Sequence, residues 1–225
     1  MEKPNLSHAM RLFTNEKAKQ WIAQQSLPYK TMMSYYKCAI MEIETKFNVL
    51  NEEFSLRHDR NPIASVKSRL KSIDSLAEKL IRKDIPLTCE NVEKNINDVA
   101  GIRVICPFID DVYMIAESFL SQDDVTLIEI KDYIKNPKPT GYRSLHLIIE
   151  IPIFLAEEKK FMRAEIQLRT IAMDFWASLE HQLTYKKNVE HIDEIEKELF
   201  ECAEINSKLD ERMTAIKQYI FNENN

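Results

Sequence analysis

Apolar residues recur at two kinds of spacing along this chain, and the change between them predicts helices at both ends with strands in the middle. From 29 to 56, residues such as Met33, Tyr36 and Ile40 follow one another at three- and four-residue steps, which is the repeat of one helix face. Asn61-Pro62 breaks this helix. The same criteria predict further helices over 7–25, which Pro28 ends, and over 73–83, 110–120, 171–186 and 192–221.

Strands are predicted where β-branched and apolar runs replace the helical spacing, over 101–108, 125–131, 145–153 and 161–169. Lys67, Arg69 and Lys71 alternate with other residues, so an extended segment would carry all three cations on one face. Periodicity alone does not exclude a helix at that segment. Helices at both ends with at least four strands between them predict an α+β fold, a mixed β-sheet flanked by helices.

We expect one domain over 1–225, with N-terminal helices (1–60), a central sheet with its helices (61–186) and a C-terminal helix (187–225). Hydrophobic residues make up 44% of the chain and charged residues 30%, and no apolar run is long enough to cross a bilayer. Residues 1–11 lack the basic-then-apolar pattern of an export signal. The four cysteines lack the spacing of a metal knuckle or a redox pair. A cytoplasmic protein with reduced cysteines and no membrane segment is therefore expected.

Charge is unevenly distributed along the chain. The formal net charge of −5 argues against a protein that coats nucleic acid, whose affinity depends on a large positive surface. Between 60 and 83, however, seven Lys or Arg residues stand against two acids. Such a separation suits one site for an anionic ligand on an otherwise acidic body.

The chain contains two glycines, Gly101 and Gly141, and this scarcity limits the kind of phosphate site it can build. Walker-type loops and dinucleotide fingerprints need several closely spaced glycines, so that backbone amides approach the phosphate. Side chains must therefore hold any phosphates of a nucleotide. The cations in or next to predicted elements are Arg69, Lys71, Lys79, Arg82, Arg103, Lys138 and Arg143.

Carboxylates are available for a metal or a proton. In the strand predicted over 161–169, Glu165, Gln167 and Arg169 project to one face, and Asp98 lies at the entrance of another strand. Two carboxylates at strand ends of one sheet can share Mg²⁺, and Glu165 could also take a proton from a sugar hydroxyl. The alternatives are a solvated edge strand for Glu165 and a turn or cap residue for Asp98.

A second candidate site follows Gly141. If the segment is extended, Tyr142, Ser144 and His146 share a face, so that an aromatic ring and a hydrogen-bonding ring flank one pocket. Core packing is the alternative for the tyrosine, and a structural hydrogen bond for the histidine. Asp174, near the start of a helix, could either stabilise the helix dipole or reach a bound base.

Six motifs follow one another along the chain: Arg69-Leu-Lys71, Asp98-Val-Ala-Gly-Ile-Arg103, Lys131-Asp-Tyr133, Gly141-Tyr-Arg-Ser-Leu-His146, Glu165-Ile-Gln-Leu-Arg169 and Asp174-Phe-Trp-Ala-Ser-Leu-Glu180. Together, and in this order, they resemble the synthetase domain of the RelA/SpoT family, and more narrowly the single-domain small alarmone synthetases of the RelP type. The resemblance implies a nucleotidyltransferase-like fold and transfer of pyrophosphate from ATP to the 3′-hydroxyl of GDP or GTP, with Mg²⁺. It also implies a homotetramer, and synthesis without hydrolysis because the hydrolase His-Asp motif is absent.

The resemblance also implies roles for individual residues. Asp98 matches the magnesium ligand and Glu165 matches the catalytic carboxylate. We assign both residues to catalysis and to the metal. Arg69 and Arg103 resemble the pair that sandwiches adenine, and Lys71, Lys79 and Arg82 resemble the ATP-phosphate cations. The residues assigned to GDP or GTP are Lys131, Lys138, Tyr142, His146, Gln167 and Asp174. Lys131 stands where some relatives carry Arg, and Asp174 replaces an Asn of the RelQ branch.

Two other functions compete with this one. A nucleotidyltransferase would use the same groups but release pyrophosphate. A non-catalytic nucleotide or single-stranded RNA binder would use the basic segment with Tyr142 as a stacking platform. It would have no need of Asp98 and Glu165, which repel a phosphate backbone.

Overall fold

The computed structural model describes residues 26–57, 60–184 and 192–222, and these form a mixed sheet with helices on it. The strands are β1 (Ser65–Leu70), β2 (Ala100–Cys106), β3 (Thr126–Asp132), β4 (Leu145–Phe154) and β5 (Lys159–Thr170). The helices are α1 (Ser26–Arg57), α2 (Ile73–Arg82), α3 (Cys89–Asn95), α4 (Ile109–Leu120), α5 (Ile171–Thr184) and α6 (Ile192–Asn222). Within these ranges no helix is long and apolar enough to span a membrane.

The five strands are ordered β1-β2-β5-β4-β3. The β2–β5 pair is parallel, and the other three pairs are antiparallel. The predicted α+β class with a mixed sheet is therefore confirmed. The extended form of 65–70 is also confirmed, which removes the helical alternative for that segment.

Helix α1 provides much of the core on which the sheet rests. Tyr36, Ile43 and Phe47 are fully buried, and the Phe47 ring stacks on Phe119 of α4 at 4.5 Å between centroids. Their spacing of seven and then four residues places them on one helix face, so that burying them removes one continuous stripe from water. Each large side chain buried in this way stabilises the fold by about 1.5–3 kcal/mol.

Several boundaries differ from the sequence prediction. Helix α1 begins at Ser26, so Pro28 lies in its first turn, where the missing N–H has no intrahelical partner to lose. The helix predicted over 7–25 lies outside the described residues. The short helix α3 was not predicted; the Thr88 side chain caps it by accepting a hydrogen bond from the Asn91 N–H, at 3.1 Å.

Helix α6 runs back over the loop that precedes β4. The indole N–H of Trp176 in α5 donates to the backbone oxygen of Leu199 in α6, at 2.9 Å. Arg143 donates to Glu204 of α6 at 3.1 Å. The C-terminal helix thereby holds the segment that carries Tyr142.

Candidate active site

A cavity of about 240 Å³ opens where β1, β2 and β5 lie side by side. Its charged and polar lining includes Lys67, Arg69, Asp98, Arg103, Glu165 and Gln167. Gly101 pairs with Arg69 on one side and with Glu165 on the other. Since Gly101 has no side chain, the space between those two residues stays open.

Strand register explains why residues far apart in sequence meet here. One row across the sheet runs through paired positions on all five strands, in the order Lys67, Arg103, Gln167, His146 and Lys131. Because β2 and β5 are parallel, Asp98, two residues before the start of β2, comes near the middle of β5, where Glu165 lies. The structure therefore brings Asp98 and Glu165 to the same cavity.

Asp98 is held by two lysines. Lys71 donates to one carboxylate oxygen and Lys79 to the other, each at 2.8 Å. Burial opposes the charged form of Asp98, but the two lysines outweigh it and lower the pKa of the carboxyl below its usual value. Asp98 is therefore an anion between two cations.

Glu165 accepts hydrogen bonds at both of its oxygens. His146 Nδ1 lies 3.2 Å from Oε1, and Gln167 Nε2 donates to Oε2 at 3.1 Å. Burial again opposes ionisation, but the hydrogen bonds from His146 and Gln167 lower the pKa of Glu165 overall, whereas the charge of Asp98 acts to raise it. Glu165 is thus an anion whose charge interacts with that of Asp98.

Hydrogen-bond directions fix the state of the histidine. Arg169 Nη2 donates to the Tyr142 hydroxyl at 2.6 Å, so the hydroxyl proton points to His146 Nε2, 2.8 Å away. His146 Nε2 is then the acceptor, and Nδ1–H donates to Glu165. A neutral imidazole protonated at Nδ1 satisfies every partner.

Arg169 is the residue of this site that the sequence reasoning missed. It was placed on one face with Glu165 and Gln167 but was given no role. Its guanidinium also donates to Gln167 Oε1 at 2.8 Å and to Asp174 Oδ1 at 3.2 Å. Its side chain is 5% exposed, and its Nε–H is buried without a partner. The signal available in the sequence was its position at the end of the alternating run.

Asp174 lies among cations. Its Oδ1 accepts a hydrogen bond from Arg169 at 3.2 Å and forms an ion pair with Arg103 at 3.1 Å, and its Oδ2 is 3.9 Å from Lys67 Nζ. Burial lowers the pKa of Arg103, as do the charges of Arg169 and Arg69, whereas Asp174 raises it. The assignment of Asp174 to the guanine nucleotide remains a prediction, and the described contacts link it to the Arg103 side of the cavity.

The loop before β4 presents an aromatic group with a cation on it. Lys138 Nζ lies 4.7 Å from the Tyr142 ring centroid and 4.8 Å from that of Tyr133. The Tyr133 ring meets the His146 ring edge-on at 5.2 Å. Tyr133 is another residue of this site for which the sequence pattern predicts no role. Gly141 has φ of +85°, and a Cβ there would lie 2.5 Å from the Ala203 Cβ, so the turn needs glycine.

Two predicted cations lie at the margin of this arrangement. Lys131 pairs with Glu129 at 3.1 Å, and that hydrogen bond raises its pKa. Arg82 is exposed in the last turn of α2, one turn beyond Lys79. The structure gives Arg82 no described contact with the cavity.

The carboxylates of Asp98 and Glu165 suit a hard cation whose remaining coordination positions are filled by a bound ligand and water. Within 26–57, 60–184 and 192–222 no group of three or more His, Cys, Asp or Glu residues could hold a metal alone. Mg²⁺ typically takes one or two carboxylates and fills its other positions with water and phosphate oxygens. Asp98 and Glu165 offer two anionic carboxylates beside lysines that could transfer from Asp98 to phosphate.

Comparison with known proteins gives one consistent family. The model described as "Region found in RelA / SpoT proteins" matches residues 68–190. The chain is 45% identical over 192 residues to GTP pyrophosphokinase YwaC of Bacillus subtilis, covering 85% of this chain and 91% of that protein.

Two solved structures from Bacillus subtilis are similar as well. Small alarmone synthetase 2 has a TM-score of 0.77 and 44% identity, covering 85% of this chain and 98% of the other. Small alarmone synthetase 1 bound to its product pppGpp has a TM-score of 0.77 and 34% identity, covering 90% and 98%.

Proposed function

Since this chain belongs to the RelA/SpoT family, we propose that it is a (p)ppGpp synthetase, which transfers pyrophosphate from ATP to the 3′-hydroxyl of GDP or GTP and releases AMP. The observation that carries this proposal is the cavity that Asp98 and Glu165 line together with Arg69 and Arg103, with two lysines hydrogen-bonded to Asp98. Homologues at this level of identity are GTP pyrophosphokinases and small alarmone synthetases.

The donor nucleotide is assigned to the β1–β2 side. Arg69 and Arg103 would flank adenine, since planar guanidinium groups stack on a base as lysines do not. Lys71 and Lys79 would hold the phosphates, with Arg82 reaching them from the end of α2. Without ATP the two lysines bond Asp98, and with ATP they would bond its phosphates instead. Their positive charge is therefore compensated in both states.

The acceptor nucleotide is assigned to the Tyr142 side. Guanine would stack on the Tyr142 ring, with Lys138 leaving that ring for a phosphate. Glu165 would take the proton of the 3′-hydroxyl while the hydroxyl oxygen attacks the β-phosphorus of ATP. The bond between the β-phosphorus and the oxygen that bridges it to the α-phosphate then breaks, and AMP is released. Lys131, His146 and Gln167 border Glu165 from the neighbouring positions of β3, β4 and β5.

Magnesium is the proposed cofactor, and Asp98 with Glu165 would hold it. The ion would neutralise charge on the phosphate oxygens when bound. We expect synthesis to require a divalent cation and to stop with a chelator. Activity that persists in excess chelator would exclude this role.

A homo-oligomer, and specifically a homotetramer in the cytoplasm, is part of the proposal. It is supported by apolar side chains that α5 and α6 leave exposed, namely Phe175, Leu179, Leu183, Ile205, Leu209 and Ile216. Exposed apolar patches of this kind are typical of protein interfaces. Light scattering of the purified protein measures the mass directly.

The test of the function is an incubation with ATP and GDP, followed by anion-exchange chromatography. We expect AMP and a guanosine nucleotide that carries pyrophosphate at the 5′ and 3′ positions of its ribose. This product should not be lost on longer incubation, because no hydrolase activity is proposed. Glu165→Gln should abolish synthesis with the fold intact. Glu150→Gln in β4, whose carboxylate lies 3.9 Å from Arg163, serves as the control and should retain it.

The competing functions give different results in the same experiments. A nucleotidyltransferase would release free pyrophosphate and form a nucleotidyl adduct. A non-catalytic RNA binder would show tight, salt-dependent RNA binding without turnover. The two half-buried, ionised carboxylates that line the cavity disfavour an RNA backbone there.

A further inference from the structure

The hydrogen bonds around Glu165 close into a ring. From Arg169 one path runs through the Tyr142 hydroxyl and His146 to Oε1 of Glu165. The other path runs through Gln167 to Oε2. Every donor along both paths points from the guanidinium toward the carboxylate, so the two paths are cooperative rather than competing.

Arg169 begins both paths with a single nitrogen. Its Nη2 carries two hydrogens, one for Tyr142 and one for Gln167, and its Nη1 donates to Asp174. A rotation of the planar guanidinium therefore moves all three contacts together. The unpartnered Nε–H in a side chain that is 5% exposed indicates a geometry set by these contacts rather than by complete hydrogen bonding of the arginine.

The same arginine is connected to the donor side of the cavity. Asp174 Oδ1 is shared by Arg169 at 3.2 Å and Arg103 at 3.1 Å. Two guanidinium groups on one oxygen compete for it. If Arg103 turns onto a bound base, Asp174 pairs with Arg169 alone. The Arg169 guanidinium is then held more firmly in the orientation that bonds Tyr142 and Gln167.

We propose that Arg169 is a positioning residue that couples occupation of the Arg103 side of the cavity to the arrangement of Tyr142 and Glu165 on the acceptor side. This rests on the proposed function, since the two sides are those assigned to ATP and to the guanine nucleotide. Binding of the donor nucleotide then pre-arranges the stacking ring and the base, and by linkage the acceptor nucleotide strengthens donor binding equally.

The experiment measures the dissociation constant of GDP by calorimetry, with and without a saturating ATP analogue that has a methylene between the α- and β-phosphorus atoms. In the unaltered protein the analogue should tighten GDP binding by about fivefold or more. In Arg169→Met this ratio should fall to near one and kcat should fall, with little change in the dissociation constant of the ATP analogue measured without GDP. Arg169→Lys keeps a charge but not the fork, so it should restore less than half of the lost coupling.

Two further variants separate positioning from stability. Arg60→Met removes another arginine bonded twice to an aspartate, Asp111, at 2.6 and 2.5 Å, and neither of these residues lines the cavity. It should lower stability and leave the coupling ratio unchanged. Asp174→Asn should lower the ratio while the bonds from Arg169 to Tyr142 and Gln167 remain.

The outcomes distinguish this inference from the function on which it rests. A protein that makes the alarmone but binds GDP equally well with and without the analogue overturns the coupling alone. So does Arg169→Met with unaltered coupling and kcat. Failure to form any alarmone from ATP and GDP overturns the proposed function, whatever the binding data show.

Discussion

The Tyr142 hydroxyl lies 2.8 Å from Nε2 of His146, and the other nitrogen of the same ring lies 3.2 Å from Glu165. One imidazole therefore joins the ring proposed to stack on guanine to the carboxylate proposed to take the proton. The neutral tautomer protonated at Nδ1 follows from this arrangement. Nitrogen chemical shifts of His146 should show Nε2 unprotonated, and protonation at Nε2 alone would contradict the hydrogen-bond directions.

Tyr142→Phe should separate the two roles of the tyrosine, because it removes the hydroxyl and keeps the ring. We expect kcat to fall about tenfold, equivalent to about 1.4 kcal/mol in the transition state, with KM for GDP nearly unchanged. Tyr142→Leu removes the ring and should raise KM. Steady-state kinetics measures both. An unchanged kcat in Tyr142→Phe would mean that the hydroxyl does not help to orient His146.

Gly141→Ala should strain the loop that carries Tyr142. The added Cβ would lie 2.5 Å from the Ala203 Cβ at a φ of +85°, and we expect a loss of about 2 kcal/mol in unfolding free energy. Adding Ala203→Gly should recover the steric part of this loss but not the backbone part. Gly101→Ala is the matched control, because its nearest contact would be an ordinary 3.7 Å. Urea unfolding measures all four proteins.

Asp210 should make stability depend on pH. Burial raises its pKa, and the hydrogen bond from Thr170 Oγ1, at 2.5 Å, offsets this only in part. A carboxyl whose folded-state pKa is raised contributes stability that is present below its ordinary pKa of about 3.9 and is lost as pH rises through the folded-state value.

Asp210→Asn stays neutral at every pH and can still accept the hydrogen bond from Thr170. Its unfolding free energy relative to the unaltered protein should therefore increase from pH about 4 upward and then level off above the raised pKa. Urea unfolding at a series of pH values tests this. A difference that stays constant with pH would show that the Asp210 carboxyl titrates alike in the folded and unfolded chains.

Arg60→Met should lower stability strongly, because it leaves Asp111 buried with one cation fewer. The Asp111 side chain is 2% exposed, and Lys217 at 3.4 Å is its other described partner. Breaking such a buried pair costs about 3–5 kcal/mol, and the remaining lysine places the expected loss near the lower value. Lys197→Met breaks an exposed pair with Glu201 and should change stability by under about 0.5 kcal/mol.

Local patterns were enough to predict most elements. The alternation at Glu165, Gln167 and Arg169 predicted one strand face, and Gln167 and Arg169 are indeed hydrogen-bonded on it. Helix α3 escaped prediction because seven residues are too few to show a helical repeat. Pro28 predicts the end of a helix but lies in the first turn of α1, because sequence alone does not tell a first turn from a terminus.

The residue types of the site, and the faces on which they lie, were contained in short stretches of chain, because side-chain periodicity is a property of a single strand or helix. The partners were not. The two lysines on Asp98, the shared oxygen of Asp174 and the His146 tautomer all depend on which strands pair and in which register. Register is fixed by packing between segments far apart in sequence, so only the folded chain brings these charges within hydrogen-bonding distance.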